Sequence, residues 1–183
     1  MEWRAGLVRL DDNATNIAVL SVALPSGSYA IHKGSRFAYI LKLPASGGVR
    51  VFSCQRAALR HTDVILALAL TRVQSNLVIT ARVLDKRNPK TVLYQSTVVD
   101  TPNADPTLTA AQFEALTGMR LLDLMPDTPG PPLTTFGAIV GIFQYTDGKQ
   151  PVPRAVFDKL EVRTNQPPVL SRPQRGSQRS ENF

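Results

Sequence analysis

"DVILALALTRVQSNLVITARVL", residues 63–84, decides the fold. Side chains alternate across an extended chain, so Val64, Leu66, Leu68 and Leu70 share one face, and Ile65, Ala67, Ala69 and Thr71 share the other. Large groups point one way and small ones the other. After Gln74-Ser75-Asn76, Leu77, Ile79, Ala81 and Val83 repeat the pattern against Val78, Thr80 and Arg82, and the two runs read as a β-hairpin. "KRNPK" (86–90) then turns the chain, with Pro89 stopping strand pairing. "TVLYQSTVV" (91–99) resumes alternation, with Val92, Tyr94 and Val98 expected on one side, which makes a three-strand meander.

The same rhythm runs outward in both directions. "NIAVLSVAL" (16–24) and "SRFAYILKL" (35–43) read as strands around a connection "PSGSYAIHKG" (25–34), and "GVRVFSC" (48–54) follows a "PASGG" turn. "FGAIVGIFQY" (136–145) and "PRAVFDKLEV" (153–162) form a final pair after the "PDTPGPP" break (126–132). One helix stands out in "TAAQFEALTG" (109–118): Thr109 and Gln112 have capping-box spacing and Gly118 supplies the stop. Its expected place is against an edge of the sheets. About ten strands and one short helix fit two packed antiparallel sheets, because an open sheet of that size curls or splits. The expected class is all-β, a two-sheet antiparallel β-sandwich.

Composition sets outer bounds. The chain has 183 residues, 43% of them hydrophobic, enough for one domain with a real core. The longest apolar run, Val64 to Leu70, is strand-length and far short of the ~20 residues of a membrane span, so no membrane insertion is expected. "MEWRAGLVRL" has no secretory-signal pattern. Cys54, the sole cysteine, excludes an internal disulfide and a thiolate-based zinc site, and reads as a buried, inert thiol. The net charge of +7 permits contact with phosphate or uronate polymers. Nucleic acid is nonetheless disfavoured as a partner. Arg172, Arg175 and Arg179 sit in a Pro/Ser/Arg tail, and no strand interleaves basic and aromatic residues as RNA recognition requires. The expected division is a sandwich domain over residues 1–165 and a disordered basic tail over 166–183.

"RAVFDKLEVR" (154–163) is a strand with a fault. Phe157 and Leu160 are three apart and cannot both face the core unless one residue is inserted, so a β-bulge is expected at Asp158-Lys159. On that reading Phe157→Ala is severe and Asp158→Asn mild.

"FGAIVGIFQYTDG", a proline-containing connection and "AVFDKLEV" together resemble the C-terminal strand pair of concanavalin A-like lectin/glucanase sandwiches, including laminin-G-like domains. Phe157, Asp158, Leu160 and Val162 match the ending of the family's last strand, with Lys159 where Asn is usual. "LVITARVLDKRNPKTVLYQSTVVDT" (77–101) is similar to the middle of such sandwiches in large exported bacterial proteins. The resemblance implies a jelly-roll, an extracellular or cell-surface setting beside other domains, and a non-catalytic role in recognising a glycan or cell-surface polymer. The family's N-terminal strand pairs near the last one. "WRAGLVRLDDNATNIAVL" (3–20) is read as departing from that pattern, which implies a piece of a larger domain lacking one or two early strands.

The glucanase branch uses two glutamates close together on one strand face, and Glu2, Glu114, Glu161 and Glu181 offer no such pair. His32 and His61 flank no nucleophile elbow and read as surface residues in turns. An enzyme is therefore not expected, and a cryptic glycoside-active site ranks last. For a sugar, Gln144, Tyr145 and Asp147 form the best group: a ring for a sugar face beside polar groups for hydroxyls. No cofactor is expected beyond a structural calcium ion, for which Asp100, Asn103 and Asp105 supply oxygen ligands in one loop. Asp158 is a further calcium candidate by resemblance. The alternative to recognition is a structural spacer with no small ligand.

Overall fold

A computed structural model describes residues 1–11, 16–60, 62–101, 108–124, 137–144 and 154–164. The described strands are β1 (Glu2–Leu10), β2 (Asn16–Leu24), β3 (Gly27–Lys33), β4 (Phe37–Pro44), β5 (Arg50–Arg56), β6 (Thr62–Val73), β7 (Asn76–Asp85), β8 (Val92–Asp100), β9 (Gly137–Gln144) and β10 (Ala155–Arg163). Helix α1 (Ala110–Thr117) and a 3-10 turn (Leu121–Leu124) lie between β8 and β9. The strands form two five-stranded sheets, β10-β1-β6-β7-β8 and β5-β4-β3-β2-β9, with antiparallel neighbours throughout. The molecule is an all-β two-sheet sandwich with one short helix, as the alternation requires.

The opening hairpin holds as read. Val64, Leu66, Leu68 and Leu70 on β6 and Ile79, Ala81 and Val83 on β7 are buried in the core between the sheets. Val73 pairs with Asn76 across a two-residue turn, in which Gln74 takes φ 56°. On β8 the expected face is broken: a register shift between Val83 and Leu84 leaves Leu93 unpaired, and Val92 opposes Leu84 and is exposed. An extra residue in one strand inverts the alternation beyond it.

Two strands fill segments that the sequence leaves unassigned. Residues 2–10 form β1, a central strand between β10 and β6, with Trp3, Ala5 and Leu7 inward. The expected departure at the N-terminus is thereby corrected: the first strand does pair with the last. Residues 27–33 form β3 in the middle of the second sheet, with Tyr29 and Ile31 in the core. Pro25-Ser26 make a tight turn into it. Gly27 sits at φ 128°, where a Cβ would collide with the Leu43 carbonyl and the backbone of Pro44.

A second core covers the outer face of the second sheet. Ile17, Ala30, Phe37, Tyr39, Leu41 and Val51 are buried there with Phe113 of α1, Met119 and Leu124. Phe113 meets Tyr39 edge-to-face at 5.2 Å. Thr109 and Gln112 form the expected capping box, and Gly118 adopts the left-handed C-cap at φ 76°. The helix lies beside the edge strand β5, where Arg56 donates to the Ala115 and Leu116 carbonyls, as expected, and its Phe113 reaches over the outer face to Tyr39. Phe113 thereby helps to bury part of the outer face of the second sheet, while Ile139 on β9 stays exposed.

His32 follows from this arrangement. It is a buried residue of β3 and not a surface turn residue, with Nδ1 2.9 Å from the Tyr39 hydroxyl. Burial lowers its pKa to about 3, so the ring is neutral at ordinary pH. His61 lies outside the described residues. Cys54 is half-buried, and burial pushes its thiol up to about 11, which agrees with an inert sulfur.

Candidate functional site

The open face of the first sheet is built from the polar positions of β1 and β10 and the small positions of β6. Because Trp3, Ala5 and Leu7 point inward, Glu2, Arg4 and Gly6 point outward. On β10 the pairing runs Glu2↔Arg163, Arg4↔Glu161 and Gly6↔Lys159, so opposite charges face each other across the strands. On the other side of β1, Gly6, Arg4 and Glu2 oppose Ile65, Ala67 and Ala69. The alanines leave space for long neighbours: Glu2 binds both Arg4 and Arg82, and Ala67 is buried although it faces outward.

The register between β1 and β10 skips Asp158, moving from Gly6↔Lys159 to Leu7↔Phe157. Asp158 is therefore the inserted residue of the expected bulge. Its carboxylate lies against Gly6 and pairs with Lys86, beyond the end of β7. A methyl group on Gly6 would strike Asp158 Oδ1. The bulge thus aims the side chain across two strands. Half-exposed ion pairs of this type contribute only about 0–1 kcal/mol. Asp158→Asn is accordingly expected to cost less than about 1 kcal/mol. Gly6→Ala should displace the same carboxylate, and adding Asp158→Asn to Gly6→Ala should cost less than the two single losses summed, as a double-mutant cycle of urea midpoints would show. Fully additive losses would mean that the two residues do not act on one contact.

A groove of about 290 Å³ crosses this face, lined by Arg4, Lys86, Asp158, Lys159, Glu161 and Arg163 over Gly6 and Ile65, with Pro89 at its side. Four cations and two carboxylates give it a positive excess. Glu161 is hydrogen-bonded by Lys159 and Arg163, which hold its carboxyl below the usual range, so it is ionised at neutral pH. The described residues place no aromatic ring on this face: Trp3, Tyr94 and Phe157 all pack toward the core.

A second polar group ties the sheets together. Asp100, at the end of β8, accepts hydrogen bonds at Oδ2 from the Tyr29 hydroxyl (2.5 Å) and Lys42 Nζ (2.6 Å), and Tyr29 and Lys42 oppose each other on β3 and β4. Burial works against the Lys42 ammonium, but the bonds to Asp100 and Tyr29 overcome it and hold its pKa above the ordinary lysine value. Lys42 is thus a fixed cation and not a neutral amine nucleophile. Asp100 Oδ1 has no hydrogen-bond partner among the described residues.

The sequence-derived site residues are scattered by this fold. Asp100 turns between the sheets toward Lys42, and Asp158 turns across the open face toward Lys86. Asn103 and Asp105 lie outside the described residues. Among the described residues no three metal-ligating side chains cluster. Gln144 ends β9 opposite Asn16, while Tyr145 and Asp147 lie outside the described residues. The groove was missed because β1 was not recognised, although the alternation of Glu2, Arg4 and Gly6 with Trp3, Ala5 and Leu7 was available as a signal. Among the described residues no helix is long and apolar enough to cross a membrane. No family model, curated protein or solved structure matches the chain.

Proposed function

We propose that the domain is a non-catalytic recognition module of an exported or cell-surface protein, and that it holds an acidic glycan along the open face of the first sheet. The observation that carries this reading is the groove, where four cations stand beside two carboxylates on the outer face of the first sheet. Arginine and lysine donate charge-assisted hydrogen bonds to a uronate carboxylate, and Asp158 and Glu161 accept from sugar hydroxyls. The internal ion pairs do not block this exchange. The pairs of Lys159 and Arg163 with Glu161 are screened by water, so a ligand carboxylate displaces the Glu161 carboxylate at little cost. Among the described residues no aromatic plane stands on this face to cover a pyranose, which favours charged over neutral sugars.

Titration calorimetry with polygalacturonate at low salt is expected to show binding that weakens as salt rises and drops at least tenfold in Arg4→Ala/Lys159→Ala, with circular dichroism unchanged. A neutral β-glucan should bind more weakly than the uronate polymer. Equal binding of both polymers, or binding untouched by the double substitution, would remove the groove as the site.

A spacer domain is the second reading. Ala67, Ala69, Thr80 and Thr97 floor the rest of the face, with Thr80 and Thr97 bonded to each other at 3.0 Å, and such a surface suits packing against a neighbouring domain. Absence of binding to every charged and neutral glycan tested would favour it.

A further inference from the structure

We propose that β10 is a homodimerisation edge, on which a second copy of the chain pairs antiparallel about a two-fold axis at Val162 and joins two five-stranded sheets into one. β10 borders β1 on one side and, among the described strands, is the terminal strand of its sheet. It carries three of the most exposed large hydrophobic residues of the described chain: Val156 at 51%, Leu160 at 47% and Val162 at 56%. An edge with open backbone donors and acceptors and apolar side chains is a template for another strand.

Charge selects both the occupant and the register. Beyond the bulge, Leu160 to Arg163 pair with β1 without a shift, so this stretch is regular and its outer edge is straight. With the axis at Val162, Glu161 faces the Arg163 of the second copy and Arg163 faces its Glu161, while Val162 meets its own equivalent on the core side. Moving the axis one residue, to Glu161, would set glutamate against glutamate and Lys159 against Arg163. Like charges directly opposite in a sheet are destabilising. An axis at Leu160 would also match charges, through Lys159 and Glu161, but would lay Val162 against the bulge at Asp158, where the ladder is interrupted. The alternating Lys159, Glu161 and Arg163 therefore reject most strands while accepting a copy of themselves. β8, the opposite edge, has no charged residue from Val92 to Val99 and hence no such selection. Lys159, Glu161 and Arg163 also line the groove, but the pairing stands apart from the glycan reading, because it needs only the strand edge and is tested without glycan.

Sedimentation equilibrium of the full chain without glycan, across the micromolar range, is expected to give a dimer that Glu161→Arg weakens at least tenfold. Cross-linking tests the register. In a Cys54→Ser background, Val162→Cys stands opposite itself at a distance a disulfide can span, whereas Leu160→Cys stands opposite Thr164. Mild oxidation should therefore link the Val162→Cys variant at least ten times faster than the Leu160→Cys variant, with circular dichroism confirming both folds. A monomer throughout the range, or equal cross-linking of the two variants, overturns the proposal.

Discussion

Replacing Trp3 with alanine is expected to cost about 3–5 kcal/mol, the largest loss from any single side chain discussed above. Trp3 is only 2% exposed and lies on the core face of β1 between Leu68 of β6 and Val162 of β10. Truncation removes the transfer energy of the whole indole and leaves a cavity that two strands hydrogen-bonded to β1 cannot close by moving. Phe157 is the instructive comparison, because the sequence pointed to it as the severe site. Its ring packs on the core but is only half-buried near the sheet edge, so Phe157→Ala is expected to cost about 1–2 kcal/mol. Urea denaturation followed by far-ultraviolet circular dichroism, which does not depend on the lost indole, should separate the variants clearly. A Trp3→Ala loss no greater than that of Phe157→Ala would show that β1 is not an interior strand of its sheet.

The second large effect is a pH dependence located at one side chain. Burial lowers the His32 pKa from 6.5 to about 3, so the folded chain holds a neutral ring while the unfolded chain protonates near pH 6.5. The folded-state pKa is depressed, and the contribution is therefore fully present above the unfolded pKa and is lost as pH falls through the window from 6.5 to about 3. Between pH 7.5 and pH 5 the expected decrease from this residue alone is about 2 kcal/mol. His32→Gln keeps a hydrogen-bonding group near the Tyr39 hydroxyl and has no proton to gain. Its stability should be correspondingly flatter over that interval. The same slope in both proteins would mean that another group carries the pH dependence.

What was legible in the sequence was whatever a single local rule determined. The β6–β7 hairpin follows from strict alternation, α1 from Thr109, Gln112 and Gly118, and the bulge at Asp158 from two apolar residues standing three apart. β1 and β3 were harder to read for different reasons. In β1, Gly6 and the flanking arginines weaken the apparent strand propensity, yet Gly6 is what lets Asp158 reach Lys86. In β3, His32 and Lys33 look like loop residues, because the groups they meet when buried, the Tyr39 hydroxyl for His32 and the Arg60 carbonyl for Lys33, lie elsewhere in the sequence. The groove is less local still. It requires the first and last strands to lie side by side, so no window of sequence contains it.

That adjacency also sets the order in which the chain can fold. β1 and β2 belong to different sheets, and each takes one of the two last strands as a neighbour, β10 and β9 respectively. During synthesis β1 must wait about 145 residues for β10, which at 5–20 residues per second is roughly 7–30 s. Until then both sheets remain one strand short, and the bare flank of β1 and β2 can pair with anything extended nearby. Contacts so distant in sequence make folding slow, since the loop must close before any of its pairing energy is recovered. A chain of this topology should therefore depend on chaperones while on the ribosome in a way that its finished stability would not reveal. Refolding from urea should be slowest in the step that docks its two ends.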